Sequence, residues 1–423
     1  MTVRKNISSV VLWSVISAAF VGPGTVTTAA SAGATFQLDL LWAVSFSTVA
    51  CIVLQEVSAR LAIVSGLPMG QALTRAYGDR KGRWLNYLLG GPVVLGCAAY
   101  EAGNILGGVS GIQVVAPVDM RWLTILFTAA VAVVLWTDKR ESIGWLMTAL
   151  VGLMGIAFAY LAVARPFGVA EYARAATVPS MPAGSELLIL GLIGTTIVPY
   201  NVFLGYGVSK GQTVPLMRIG LTLSVVIGGA ITAAILVAGT TVPPFTSFTI
   251  LSEELRTAMG PLGATALGVG LFAAGFSSSL TSPYAASIIA SSVFSWDKRK
   301  QRMVWAVVLL SGFLFGISGV RPIPVILVVQ ALNGMVLPLL TAFLILLIND
   351  RSLIPAGYRP SVLYNAVLLV IFGVVLLMGI YSIDASLASW FDIPRTQYVV
   401  KVIISALVTA CLGYVLLRRK TSV

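Results

Sequence analysis

The stretch Phe20-Val-Gly-Pro-Gly-Thr-Val-Thr-Thr-Ala29 places two glycines and a proline in the middle of an apolar run long enough to be one membrane helix. Gly22, Pro23 and Gly24 are poor helix formers in succession, and the Pro23 ring removes a donor and crowds the preceding turn. In lipid, unwound backbone persists only where protein or a polar cavity surrounds it. The run is therefore either a simple proline kink or the wall of a site. A second interruption of the same kind decides between them. In Gly191-Leu-Ile-Gly-Thr-Thr-Ile-Val-Pro-Tyr-Asn-Val-Phe-Leu-Gly205, Pro199 follows Thr195 and Thr196 and precedes Tyr200 and Asn201. Two broken helices at corresponding positions of two five-helix halves are the sequence mark of an inverted-repeat transporter with its site between them. Free carbonyls and amides at the half-helix ends supply partial charges there without any ionised side chain.

The rest of the chain fits this setting. It is 58% hydrophobic and 10% charged over 423 residues, which excludes a water-soluble globule. No charged residue lies between Arg218 and Glu253 or between Arg256 and Asp297. Each interval exceeds the roughly 20 residues that cross a ~30 Å hydrocarbon core. Apolar segments predict about twelve spans, at 8–34, 39–64, 84–113, 122–137, 142–164, 185–208, 214–239, 261–293, 302–319, 323–348, 362–381 and 398–417. The connections leave no room for a soluble domain, so residues 1–423 are read as one membrane domain. Within it, 1–165 form the first five-helix repeat, 185–348 the second, inverted repeat, and 362–417 two additional helices.

With the N-terminus inside, 20 of the 27 Lys and Arg residues fall on cytoplasmic segments, among them Arg4, Lys5, Arg80, Lys81, Arg83, Lys139, Arg140, Lys298–Lys300 and Arg418–Lys420. Both termini are then cytoplasmic, in the inner membrane of a prokaryote. The net charge of +12 follows from this bias and from anionic headgroups, and is no sign of nucleic acid. The first apolar run continues too far for a cleaved signal peptide and is expected to stay as a helix. Cys51, Cys97 and Cys411 lie within spans as small packing residues, with no disulfide or metal framework. The absence of histidine and of any phosphate-cradling loop argues against an enzyme.

Intramembrane acids are costly and mark function by default. Glu56 and Glu101 lie well inside the spans, with Glu186 near an outer end. Arg60 follows Glu56 at ion-pair spacing. Glu101 has no base nearby in sequence, and Asn104 shares its helical face. Gln330 and Asn333 are three apart on the tenth span, suited either to an ion pathway or to a helix–helix hydrogen bond. The hydroxyls of Ser277–Ser279, Thr281 and Ser282, and Gly103, Gly107 and Gly108, read as close helix packing.

The succession VGPGTVTTAASAGA, LQEVSARLAIVSG, GLIGTTIVPY, AAGFSSSLTS and VVQALNGMVLP resembles the Nramp transporters of divalent metal ions over at least the first ten spans. The resemblance implies an all-α, LeuT-type fold with helices 1 and 6 unwound at the midplane. It also implies a transported metal rather than a cofactor. In that family the first broken helix carries Asp-Pro-Gly-Asn and the sixth Met-Pro-His. Here Gly22 stands where the aspartate would be, Thr25 for the asparagine, Val198 for the methionine and Tyr200 for the histidine. The resemblance leaves Gly22, Thr25 and the carbonyl of Thr195 as the metal positions, with Val198, Tyr200, Asn201, Gln330 and Asn333 around them. It also aligns Glu101 and Asn104 with two acidic third-span positions associated with proton movement, and leaves Glu56 as a further charge site.

Losing sulfur removes a soft ligand for Mn²⁺ or Fe²⁺, and losing the carboxylate removes the strongest charge compensation for a bare ion. A roomier, oxygen-lined site suits an ion that keeps part of its water shell, as Mg²⁺ does. The chain also resembles the magnesium-transporting branch of that family more than the iron and manganese carriers, so the expected function is Mg²⁺ transport, with Mn²⁺ as a second ion, by alternating access with weak or no proton coupling. The expected protein is monomeric. The alternatives are a carrier of a small organic solute, such as an amino acid or carboxylate, and a transport-dead sensor.

Overall fold

The computed structural model describes residues 13, 20–137, 140–209, 211–244, 247–294 and 296–421. Arg4, Lys5, Lys139 and most of the first half of the first span lie outside the described residues. Sixteen α-helices follow one another among the described residues. They are α1 (Pro23–Phe36), α2 (Leu41–Ser65), α3 (Met69–Tyr77), α4 (Asp79–Val115), α5 (Met120–Thr137), α6 (Arg140–Val163), α7 (Val169–Thr177) and α8 (Glu186–Thr196). The remainder are α9 (Pro199–Ser209), α10 (Val214–Gly239), α11 (Phe248–Met259), α12 (Pro261–Phe294), α13 (Lys298–Ile317), α14 (Pro322–Ile348), α15 (Val362–Phe391) and α16 (Tyr398–Thr421).

Ten of these, with α8 and α9 taken as one span, are long and apolar enough to cross a membrane. α6 retains an apolar stretch at Val151–Val163, and α1 is the second half of the first span. Most expected spans recur within a few residues of their boundaries; the start of the first lies outside the described residues, and α15 runs to Phe391, ten residues past the expected end at 381. Three shorter helices, α3, α7 and α11, escape a search for spans because each alternates apolar and polar faces. Burial ranks the spans. The apolar window of α8 and α9 is 89% buried, against 22% for α5 and α13 and 17% for α16, so the broken sixth span is central and the last three face lipid.

Proline opens α1 at Pro23, α9 at Pro199, α12 at Pro261 and α14 at Pro322, positions where its missing N–H costs nothing. The central helices approach closely through glycine. A Cβ on Gly194 of α8 would stand 2.6 Å from the backbone nitrogen of Gly334 on α14. A Cβ on Gly275 of α12 would stand 2.7 Å from the Asn104 carbonyl on α4. Since backbone cannot move aside as a side chain can, Gly194→Ala is expected to cost about 1–3 kcal/mol by overpacking. A thermal unfolding midpoint in detergent unchanged from wild type would contradict that contact.

Candidate functional site

Both interruptions are present. Phe20 is helical, Val21 and Gly22 form a bend, and the helix resumes at Pro23. Gly22 caps α1 with φ −100° and ψ −176°, an extended conformation open to any residue, and its carbonyl accepts from Val26 N at 3.2 Å. In the sixth span α8 stops at Thr196, Ile197 and Val198 leave helical geometry, and α9 starts at Pro199. The Val198 carbonyl accepts from Asn201 N at 3.1 Å. Gly22 and Val198 are both buried.

The two breaks meet through hydroxyls. Thr25 Oγ1 and Thr195 Oγ1 are 2.8 Å apart. Thr25 Oγ1 also donates to the Phe20 carbonyl, one of the groups the break releases from its helical partner. With its single proton spent there, Thr25 accepts from Thr195. Thr27 Oγ1 donates to Pro23 O at 2.8 Å, and Ser47 Oγ of α2 donates to Thr196 Oγ1 at 3.2 Å.

Around this pair the other expected residues fall into two groups. Gln330 of α14 lies directly against Gly24, where a Cβ would collide with its side-chain amide. Tyr200, at the start of α9, meets Tyr100 of α4 edge to face, with centroids 5.7 Å apart. The Tyr100 hydroxyl lies beside Gln330 and Thr195. Thr28 of α1 touches Gly191 of α8. Asn333 points elsewhere, its Oδ1 facing Gly96 of α4.

This neighbourhood is rich in oxygens that find no protein partner. Buried side-chain atoms without one include Thr28 Oγ1, Tyr200 OH, Asn201 Oδ1 and Gln330 Oε1. Buried polar groups are normally satisfied, so such a group of orphans calls for water or an ion. Tyr100, Thr28 and Gln55 were not singled out by sequence reasoning. Gln55 of α2 is fully buried with both amide atoms unpaired. The usable signal was the same for all three, a polar side chain in mid-span.

Glu101 sits next to Tyr100 in sequence but faces another way. Its side chain packs on Gly312 of α13, where an added Cβ would stand 2.8 Å from Glu101 Cγ, and it accepts from Asn104 Nδ2 at 3.4 Å. Ser279 of α12 is its other polar neighbour, and no described cation pairs with this carboxylate. Ser282 and Thr281 instead donate to backbone carbonyls, Cys97 O at 2.9 Å and Ser277 O at 2.9 Å, as packing hydroxyls do.

Glu56 belongs to an ion cluster away from the breaks. Arg60 Nη2 lies 3.1 Å from Oε2, Arg218 Nη2 of α10 lies 2.8 Å from Oε1, and Tyr364 OH of α15 donates to Oε2 at 2.5 Å. Arg60 further donates to Tyr358 O at 3.2 Å and stacks 4.9 Å above the Tyr364 ring. Four segments are tied together here. Among the described residues no three His, Cys, Asp or Glu gather as a metal-binding group.

The family described as natural resistance-associated macrophage protein-like (Nramp) matches residues 14–384 of this chain. A divalent metal cation transporter MntH from Caldanaerobacter subterraneus subsp. tengcongensis is 24% identical over 363 residues, covering 80% of this chain and 84% of the relative. A manganese transporter structure from Eremococcus coleocola superposes with a TM-score of 0.75 at 17% identity, covering 98% of this chain and 94% of that one. MhsT in complex with L-phenylalanine superposes with a TM-score of 0.62 at 16% identity, covering 87% and 98%. The all-helical fold with broken first and sixth spans is thus of the LeuT type.

Proposed function

From the premise that the chain belongs to the Nramp family, we propose that it transports divalent metal cations, Mg²⁺ foremost and Mn²⁺ second, as partly hydrated ions by alternating access. The observation that carries this reading is the uncharged, sulfur-free and hydroxyl-rich character of the site. Thr25 and Thr195 contribute hydroxyls 2.8 Å apart, with the buried polar side chains of Thr28, Tyr100, Tyr200 and Gln330 around them and no carboxylate, thioether or imidazole among them.

Adjacent oxygens on an octahedral Mg²⁺ at 2.0–2.1 Å are about 2.9 Å apart, whereas Ca²⁺ at 2.3–2.6 Å spreads them to about 3.3–3.7 Å. The Thr25 and Thr195 hydroxyls are hydrogen-bonded to each other at 2.8 Å, and a small ion would require the least separation of the two oxygens. Amide and phenol oxygens at the rim suit retained waters. Mg²⁺ sheds its waters reluctantly, so a site that does not demand full dehydration fits it.

In this reading Gly22, Thr25 and Thr195 are the metal positions, Tyr200, Asn201 and Gln330 hold hydration waters, and Val198 leaves the soft-ligand position apolar. Asn333, Glu101 and Asn104, which face away from the breaks, form a separate polar stretch along α4 that a pathway would pass outside the site. Residues 1–165 and 185–348 form the two inverted repeats, and 362–417 the added helices. The protein works as a monomer in a bacterial inner membrane with both termini cytoplasmic.

Uptake by the purified chain in liposomes tests the function. Mg²⁺ entry no faster than in protein-free vesicles, together with binding of an amino acid or carboxylate, would replace it by the organic-carrier reading. Gly22→Asp tests the site. The extended backbone at Gly22 accepts a side chain, and a carboxylate there restores charge compensation for a dehydrated transition metal. The ratio of Mn²⁺ to Mg²⁺ uptake is expected to rise about tenfold, and an unaltered ion profile would remove Gly22 from the site.

A further inference from the structure

On the lipid-facing side of the bundle, the C-terminal end of α5 and the N-terminal end of α13 enclose an open cavity of about 700 Å³ lined by Trp136, Lys298, Arg299, Arg302, Met303, Trp305 and Ala306. We infer that this cavity binds the phosphate headgroup of an anionic phospholipid, with one acyl chain lying along the apolar side of α13.

Among the described residues three cations line it and no acidic residue does. Lys298, Arg299 and Arg302 form no ion pair among the described residues, in contrast to Arg60, Arg218 and Arg256. The nearest acid in sequence, Asp297, is committed elsewhere, since its side chain accepts from Lys300 N as the cap of α13. Arg302 is held in place by its guanidinium lying 5.0 Å above the Trp136 ring, and Trp136 packs edge to face on Trp305 at 6.5 Å. Arginine stacked on an aromatic keeps its donors free and pre-oriented for an anion.

The surroundings specify a lipid rather than a soluble phosphate. Tryptophan prefers the headgroup depth of a bilayer, so Trp136 and Trp305 set the cationic side chains at the level of lipid phosphates. Met303 and Ala306 carry the lining one turn deeper as an apolar wall. Both helices expose most of their apolar surface to lipid, with exposed Val307, Leu310 and Leu314 continuing along α13 below the cavity. A basic pocket between spanning helices on the lysine- and arginine-rich side, opening onto lipid, matches an anionic headgroup in charge and an acyl chain in polarity.

Native mass spectrometry of the full-length, detergent-purified protein titrated with phosphatidylglycerol tests the inference. Phosphatidylcholine and inorganic phosphate serve as the comparison ligands. Phosphatidylglycerol is expected to fill one site that phosphatidylcholine does not. Each removed charge is expected to weaken it about fivefold, so Lys298→Gln with Arg302→Gln lowers its affinity roughly 25-fold. Arg80→Gln with Lys81→Gln, on another basic segment, should leave it unchanged. Equal loss in both double variants, or retention in the first, overturns the assignment. Inorganic phosphate competing as strongly as the lipid overturns the lipid source. If the Lys298/Arg302 double variant does not fold, the thermal midpoint of the wild type decides. A rise with phosphatidylglycerol over phosphatidylcholine upholds the site, and equal midpoints refute it.

Discussion

Liposomes carrying the purified chain are expected to concentrate Mg²⁺ roughly 2000-fold at an inside-negative potential of about 100 mV, with no accompanying change of internal pH. Two charges crossing that potential gain about 4.6 kcal/mol, and each ~1.4 kcal/mol is a factor of ten. The gradient of charge alone is sufficient, so a proton need not be carried. The residues around the site agree with this. The chain has no histidine, and the Asn104 amide beside Glu101 cannot take up a proton. Glu101, the remaining acid, accepts from Asn104 and packs against Gly312, with no described cation beside it to stabilise a travelling charge. Fluorescent pH dye inside the vesicles and radioactive or dye-reported Mg²⁺ uptake, measured together across a series of potassium-diffusion potentials, check the prediction. Acidification in step with uptake, or uptake indifferent to potential, would overturn it.

The second large effect concerns stability. Glu56→Ala is expected to destabilise the protein by about 3–5 kcal/mol, because it leaves the guanidinium of Arg60, only 4% exposed, buried without its counter-charge. Arg218 contributes less, since its side chain is 51% exposed and water screens it. Tyr364 loses its carboxylate acceptor as well. The cost lies in the orphaned charge rather than in the pair itself, so removing both members should recover much of it. Glu56→Ala combined with Arg60→Met is therefore expected to unfold later than Glu56→Ala alone. Thermal unfolding in detergent, followed by size-exclusion chromatography, reads both. A double variant as unstable as the single one would mean that Glu56 acts through other contacts.

The cluster also shows where sequence reasoning stops. Arg60 was legible because helix geometry brings residues four apart onto one face. Arg218 and Tyr364 stand 162 and 308 residues from Glu56, and no local spacing announces them. Likewise Thr25 and Thr195 each read as a polar residue in a broken span, but their contact is a product of packing between α1 and α8.

What the sequence by itself determined is the membrane setting, the order of the apolar segments and the absence of charged side chains from the two proline-containing stretches. These follow from local chemistry, namely apolar length, charge distribution and proline geometry, and they survive folding because lipid offers no other way to satisfy the backbone. Which prolines unwind a helix was decided only by tertiary structure. Gly90-Gly91-Pro92 resembles Gly22-Pro23-Gly24, yet Pro92 lies inside the unbroken 37-residue α4, as Pro283 and Pro338 lie inside α12 and α14. At Pro23 the ring seats against Gly107, Gln330 closes on Gly24, and the Thr25 hydroxyl takes up the released Phe20 carbonyl. A break survives where neighbouring helices supply partners for the groups it frees, and those neighbours come from distant parts of the chain.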